Sequence, residues 1–217
     1  MSHGYKLLVF DWDGTLMDSE ARIVSCLAMA IADLELPALD KDTLKNVIGL
    51  GMKEAITTLI PTAGQPLITD FTDRYRYHFL SDHHAPETLF PGAYNMLANL
   101  SKQDCFLGVA TGKSRKGLDR SLKETGCTGL FHKTRCADES FSKPNPQMLE
   151  DIMDALGVQP NETLMIGDTE YDIQMAKNAG AQAMAVSYGV HERERLMSFQ
   201  PLDCLDSIAD VAGWLGV

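Results

Sequence analysis

Short apolar runs separated by polar, helix-forming stretches set the rhythm of this chain. Lys6-Leu7-Leu8-Val9-Phe10 is a strand-like run that empties into Asp11-Trp12-Asp13-Gly14-Thr15-Leu16. Comparable runs recur at Cys105 to Ala110, His132 to Ala137, Thr163 to Ile166 and Gln182 to Val186. Between them, Ala93 to Leu100, Arg115 to Thr125, Pro146 to Leu156 and Ile173 to Asn178 read as helices, with Ile208 to Leu215 as a closing one. Alternation of this kind predicts right-handed crossovers and a doubly wound parallel sheet, an α/β fold. The stretch after the first strand has a different period. Val24, Leu27, Ile31 and Leu34 fall at three- and four-residue steps until Pro37, with Asp18 or Ser19 placed to cap the start. Asp40 to Val47, Met52 to Ile60 and Pro66 to Leu80 follow as further amphipathic stretches, none reading as a strand. Residues 17–86 are therefore expected to form an inserted α-helical unit, and residues 1–16 and 87–217 the α/β core.

Composition narrows the class. With 217 residues, 45% of them hydrophobic, the chain can bury a substantial core. A formal net charge of -11 repels nucleic acid and anionic membrane surfaces at long range, while a local positive pocket can still capture an anion. No stretch approaches the roughly 18 consecutive apolar residues of a spanning helix, and no charged-then-apolar leader is expected at the start. Cys26, Cys105, Cys127, Cys136 and Cys204 are odd in number and lack C-x-x-C spacing, which fits a reducing compartment. A cytoplasmic protein, monomer or homodimer, without a nucleic-acid or membrane partner is expected.

The chemistry gathers where the apolar runs end. A carboxylate held near a divalent cation can attack phosphorus, and a second one can manage the proton of the leaving group, which suits Asp11 and Asp13. Gly14 then lets the backbone turn sharply. Taken alone, the pair is equally an acidic turn after a strand. The later runs supply company: one ends at Thr111-Gly112-Lys113-Ser114 and another at Gly167-Asp168-Thr169-Glu170-Tyr171-Asp172. Lys143 lies between them in Ser142-Lys143-Pro144-Asn145-Pro146. In open parallel sheets ligands gather beyond the carboxyl ends of the strands, so these pieces can converge. Thr111 could instead cap a helix, Lys143 could be a surface loop lysine, and Asp172 could cap a helix or be solvated. Mg2+ prefers oxygen ligands, so Asp11 and Asp168 suit it.

On these residues the chain resembles the haloacid dehalogenase superfamily of phosphohydrolases, in its phosphoglycolate phosphatase and beta-phosphoglucomutase branch. Asp11-Trp12-Asp13-Gly14-Thr15 matches the first motif, Thr111 the second, Lys143 the third, and Gly167-Asp168 with Asp172 the fourth. The resemblance implies that the helical insertion is a cap closing over the site. It implies Mg2+ held by Asp11, the Asp13 carbonyl and Asp168, with Asp172 supporting from behind. It implies an aspartyl-phosphate on Asp11, Asp13 as general acid and base, and Thr111, Gly112 and Lys143 on the phosphoryl group. The expected activity is that of a Mg2+-dependent phosphatase acting on a small phosphorylated metabolite.

Specificity is expected from the cap, where Lys53, Arg74, Tyr75, Arg76 and Tyr77 are candidates to meet the substrate. Lys53 leads, because it follows the loop Gly49-Leu50-Gly51 that opens a helix. His83-His84 lacks a third metal ligand at suitable spacing. The glycines of Gly108 to Ser114 stand one residue too close for a phosphate-binding P-loop. An EF-hand over Asp11 to Arg22 fails at Leu16 and Arg22, and Gly49-Leu50-Gly51 lacks the third glycine of a dinucleotide site. Within the resembling family, Asp13 argues against the dehalogenases and against phosphonoacetaldehyde hydrolases, whose cap lysine would fall near Lys53. A sugar-phosphate mutase uses the same two aspartates and stays open. A non-catalytic binder of a phosphometabolite is the alternative outside enzymes.

Overall fold

A computed structural model of the chain describes residues 4–81 and 87–217. Strand β1 (Leu7–Phe10) is buried at every position, as a strand covered on both faces must be. Beside it run β4 (Phe106–Thr111), β5 (Lys133–Cys136), β6 (Thr163–Gly167), β7 (Gln182–Val186) and β8 (Cys204–Leu205). Among the described residues they form one parallel sheet in the order β5-β4-β1-β6-β7-β8. Successive side chains of β1 serve opposite faces. Leu8 and Phe10 join Leu107, Val109, Leu164 and Ile166 beneath α5 (Ala93–Leu100), α6 (Arg115–Glu124) and α10 (Asp210–Trp214). Leu7 and Val9 join Met165 beneath α7 (Gln147–Leu156) and α8 (Glu170–Asn178) on the other. The expected α/β, doubly wound sheet is thus present. The winding reverses at β1, between β4 and β6, which opens a crevice beyond the carboxyl ends of these three strands.

The inserted stretch folds as α1 (Glu20–Asp33), α2 (Lys41–Lys45), α3 (Met52–Leu59) and α4 (Gln65–Leu80). These helices share an apolar cluster separate from the two flanking the sheet, with Leu27, Ile31, Leu44, Ile56 and Phe71 in it. Phe71 is fully buried, and its truncation to alanine would cost about 3–5 kcal/mol. Helix α1 stops at Asp33, where Glu35 takes a φ of 53°, ahead of Pro37.

Some details depart from the pattern-based expectation. Residues 17 and 18 are not helical: β2 (Met17–Asp18) pairs antiparallel with β3 (Thr88–Leu89), a ribbon carrying the chain into and out of the helices. Two residues are too few to show a strand period. Strand β8 was hidden for the same reason, and helix α9 (Arg193–Ser198), at six residues, is under two turns long. Ser19 makes no side-chain capping bond to α1, because its hydroxyl is committed to Asp13. His83, His84 and the expected end of the insertion at residue 86 lie outside the described residues. Among the described residues no helix is long and apolar enough to cross a membrane.

Candidate active site

The site grows from the end of β1. The Asp11 amide donates to the Ile166 carbonyl at 2.9 Å, extending the sheet by one bond before the chain turns. Trp12 is fully buried, and its indole N–H donates to Ser121 Oγ on α6 at 2.9 Å. This anchor leaves Asp11 and Asp13 on the crevice side. Gly14 adopts a φ of +88°, and a Cβ there would stand 2.3 Å from Asp168 Oδ2. Glycine is therefore demanded twice, by the backbone angle and by the close approach of the loop to Asp168. Thr15 Oγ1 donates to Asp168 Oδ1 at 2.7 Å, and the Val190 amide donates to Oδ2 at 2.8 Å, fixing that carboxylate.

Asp11, Asp168 and Asp172 are all buried, and one oxygen from each lies within 4.8 Å of the others. Lys143 reaches into this cluster, its Nζ 2.7 Å from Asp11 Oδ1 and 2.6 Å from Asp172 Oδ1. It is buried and paired rather than a surface loop lysine. Asp172 caps α8 through Thr169 and binds Lys143 with its other oxygen, so it fills the capping role and joins the cluster together. Burial pushes Asp11 well above the ordinary carboxylate range, against the pull of Lys143, and Asp172 and Asp168 add to the rise. Burial and then Asp172 push Asp168 up to about 7. For Lys143, burial alone would lower the ammonium, yet Asp11 and Asp172 together hold it above its usual value.

Lys143 thus pairs with two of three clustered carboxylates, and Asp11 Oδ2 has no hydrogen-bond partner among the described residues. Hard oxygen donors with unmet negative charge fit a divalent cation such as Mg2+. Asp11, Asp168 and Asp172 are the residues whose oxygens would hold it.

Asp13 has its own partners. Lys113 Nζ lies 2.6 Å from Asp13 Oδ1 and 2.9 Å from Oδ2, and Ser19 Oγ donates to Oδ1 at 2.7 Å. Thr111 ends β4 fully buried, and its Oγ1 accepts from the Lys113 amide at 3.2 Å. It does not cap the following helix; Ser114 does. Gly112 is pressed by the loop 49–51, since a Cβ there would meet the carbonyl oxygens of Leu50 at 2.5 Å and Gly49 at 2.7 Å. The Gly51 amide donates to Ser142 Oγ at 2.8 Å, so the loop 49–51 is seated on the loops that carry Thr111 and Lys143.

A cavity of about 700 Å³ opens over this floor, lined below by Asp11, Asp13, Thr111, Gly112 and Lys113. Asp168 and Lys143 lie behind Asp11, outside that lining. Of the residues expected from the insertion, Tyr75 and Arg76 line the cavity. Lys53 does not: it is exposed, because Ala55, Ile56 and Leu59 set the buried face of α3 and Lys53 projects off it. Arg74 and Tyr77 are likewise exposed and outside the lining. Sequence reading missed Lys113, Ser19, Arg22 and Glu87. Lys113 carried a signal, its place directly after Thr111-Gly112, whereas Arg22 and Glu87 had none.

The match to known proteins agrees with this geometry. The model of the haloacid dehalogenase-like hydrolases matches residues 8–186, and the chain belongs to that family. It is therefore an enzyme of the hydrolase class. A probable phosphatase, IndB, from Dickeya dadantii is 33% identical over 211 residues, covering 95% of this chain and 92% of that one. A phosphoglycolate phosphatase from Rhodospirillum rubrum is 30% identical over 220 residues, covering 97% and 91%. The structure of a hydrolase from Pseudomonas syringae superposes with a TM-score of 0.89 at 21% identity, over 97% of this chain and 98% of that one, and shares the fold.

Proposed function

We propose that this family member is a Mg2+-dependent phosphatase of small phosphorylated metabolites, working through an aspartyl-phosphate on Asp11 in the manner of phosphoglycolate phosphatase. The observation that carries the reading is the state of Asp11: a buried carboxylate at the cavity floor, with Lys143 Nζ 2.7 Å from Oδ1 and no hydrogen-bond partner at Oδ2 among the described residues, two residues from a second carboxylate held by Lys113 and Ser19. Mg2+ would neutralise charge on the phosphoryl oxygens and on Asp11. An Asp11 oxygen attacks phosphorus and the bond to the leaving oxygen breaks, while Asp13 gives that oxygen its proton. Asp13 then takes a proton from the water that attacks phosphorus, which releases phosphate and restores Asp11. Thr111 Oγ1 and the Gly112 amide are placed to hold phosphoryl oxygens. Lys143 stabilises Asp11 from behind, and Asp172 and Thr169 hold Lys143 in line.

Within this reading, residues 17–86 are the cap and residues 1–16 and 87–217 the core, with the β2–β3 ribbon as the hinge between them. The separate apolar cluster of α1–α4 supports that division. Turnover of p-nitrophenyl phosphate with Mg2+, lost in Asp11→Asn and with chelator, tests the reading. Product analysis should find inorganic phosphate released rather than passed to a sugar acceptor. A panel of phosphorylated metabolites without turnover, but with saturable binding retained, would overturn it.

A further inference from the structure

Arg22 on α1 and Glu87 just before β3 line the same cavity as Asp11 and Asp13. The Arg22 guanidinium is held in place: one Nη donates to the Phe79 carbonyl, and its Cζ lies 4.6 Å from the centre of the Phe79 ring. Lys113 Nζ lies 4.9 Å from the centre of the same ring, so one aromatic residue links Arg22 to the lysine that grips Asp13. Yet Arg22 Nε and Glu87 Oε1 are both buried without a hydrogen-bond partner among the described residues. A buried donor and a buried acceptor are costly unless something completes them. Both face a cavity that a ligand is expected to enter.

The chemistry of that ligand follows from what the two atoms lack. A carboxylate would satisfy Arg22 but would bring negative charge against Glu87 and offer Oε1 no donor. An alkyl tail would satisfy neither atom. A hydroxyl accepts from Arg22 Nε–H through a lone pair and donates its own proton to Glu87 Oε1. We propose that Arg22 and Glu87 form a subsite for a hydroxyl on the leaving-group side of the substrate, selecting phosphate esters of polyols or sugars over those of short carboxylic acids. The inference rests on the placement of the phosphoryl group at Asp11 given above. The cavity, at about 700 Å³, has room for such a tail beyond the phosphate.

The test pairs polyol phosphates of increasing chain length with alkyl phosphates of the same length, so that hydroxyls are the only difference within a pair. Binding is measured by calorimetry on the Asp11→Asn protein with Mg2+, and turnover on the unsubstituted enzyme. At one or more lengths the hydroxylated member should bind about 10-fold tighter or better. Arg22→Met and Glu87→Leu, each combined with Asp11→Asn, should bring that ratio to within about 3-fold of unity, whereas Glu87→Gln, which keeps an acceptor, should retain most of it. Ratios are read within one protein, so partial misfolding of a variant does not imitate the result. A ratio near unity at every length, or a preference that survives both Arg22→Met and Glu87→Leu, would overturn the subsite. Preferential binding without turnover of any ester would instead overturn the phosphatase reading and leave the subsite standing.

Discussion

Lys113 Nζ spans both carboxylate oxygens of Asp13, at 2.6 Å and 2.9 Å, with only about a tenth of either side chain exposed. A two-pronged, charge-assisted contact of this kind fixes a carboxylate far better than a solvated lysine would. Lys113→Met should therefore lower kcat by about 10-fold or more while the fold persists, because Asp13 loses its orientation. Ser19→Ala removes a neutral bond and should cost less. Steady-state kinetics with p-nitrophenyl phosphate decide the matter, and unchanged kcat in Lys113→Met would show that the contact is passive.

Lys143 is the counter-ion of two buried carboxylates, so its loss leaves Asp11 and Asp172 facing each other uncompensated. Lys143→Met should destabilise the metal-free protein by about 3–5 kcal/mol and depress activity. Adding Asp172→Asn should recover part of the stability, since the two sites share one interaction. Urea unfolding with chelator present measures both, and strict additivity would contradict the pairing.

Gly112 has no room for a side chain under the loop 49–51. Gly112→Ala places a Cβ 2.5 Å from the Leu50 carbonyl oxygen, and that backbone must move. The expected result is a loss of about 10-fold or more in kcat/KM, because closure over the phosphoryl position is spoiled. Gly213→Ala is the control: it sits in α10 with open space around it, and alanine there should be neutral or stabilising by up to about 1 kcal/mol. Equal effects at the two positions would contradict the close seating of the loop 49–51 on Gly112.

His191 accepts from the Glu170 amide through Nδ1, and burial, then Arg195, lowers it to about 4. A base with a lowered folded pKa is protonated more readily when unfolded. Its contribution is complete above about pH 6.5 and is lost as pH falls towards 4. The share belonging to His191 is about 3 kcal/mol across that window. His191→Asn should flatten this part of the stability profile measured by urea unfolding from pH 7.5 to 4; a profile parallel to the unsubstituted protein would contradict the assignment.

Much of this was legible in the residues because the core obeys simple periodicities. β1 and residues 164–166 of β6 read as apolar runs, since strands covered on both faces bury successive side chains, and each run led to a carboxylate that the sheet order brings together. The partners of Asp13 were not legible. Lys113 lies 100 residues away, and its reach depends on how β4 and β1 lie side by side. Lys53 lies outside the cavity lining, and a loop followed by a lysine says nothing of how the helix is rotated. That rotation was set by the apolar positions Ala55, Ile56 and Leu59. Arg22 and Glu87 carried no signal, because they come to line one cavity only through the packing of α1 against α4 and the return of the chain at β3.

The most direct measurement is acid-quenched mass spectrometry of the enzyme during turnover of a phosphate ester with Mg2+. The account predicts one phosphoryl group on the peptide containing Asp11, removable by hydroxylamine and absent in Asp11→Asn. Full turnover by Asp11→Asn, or a phosphoryl group found on another residue, would contradict it.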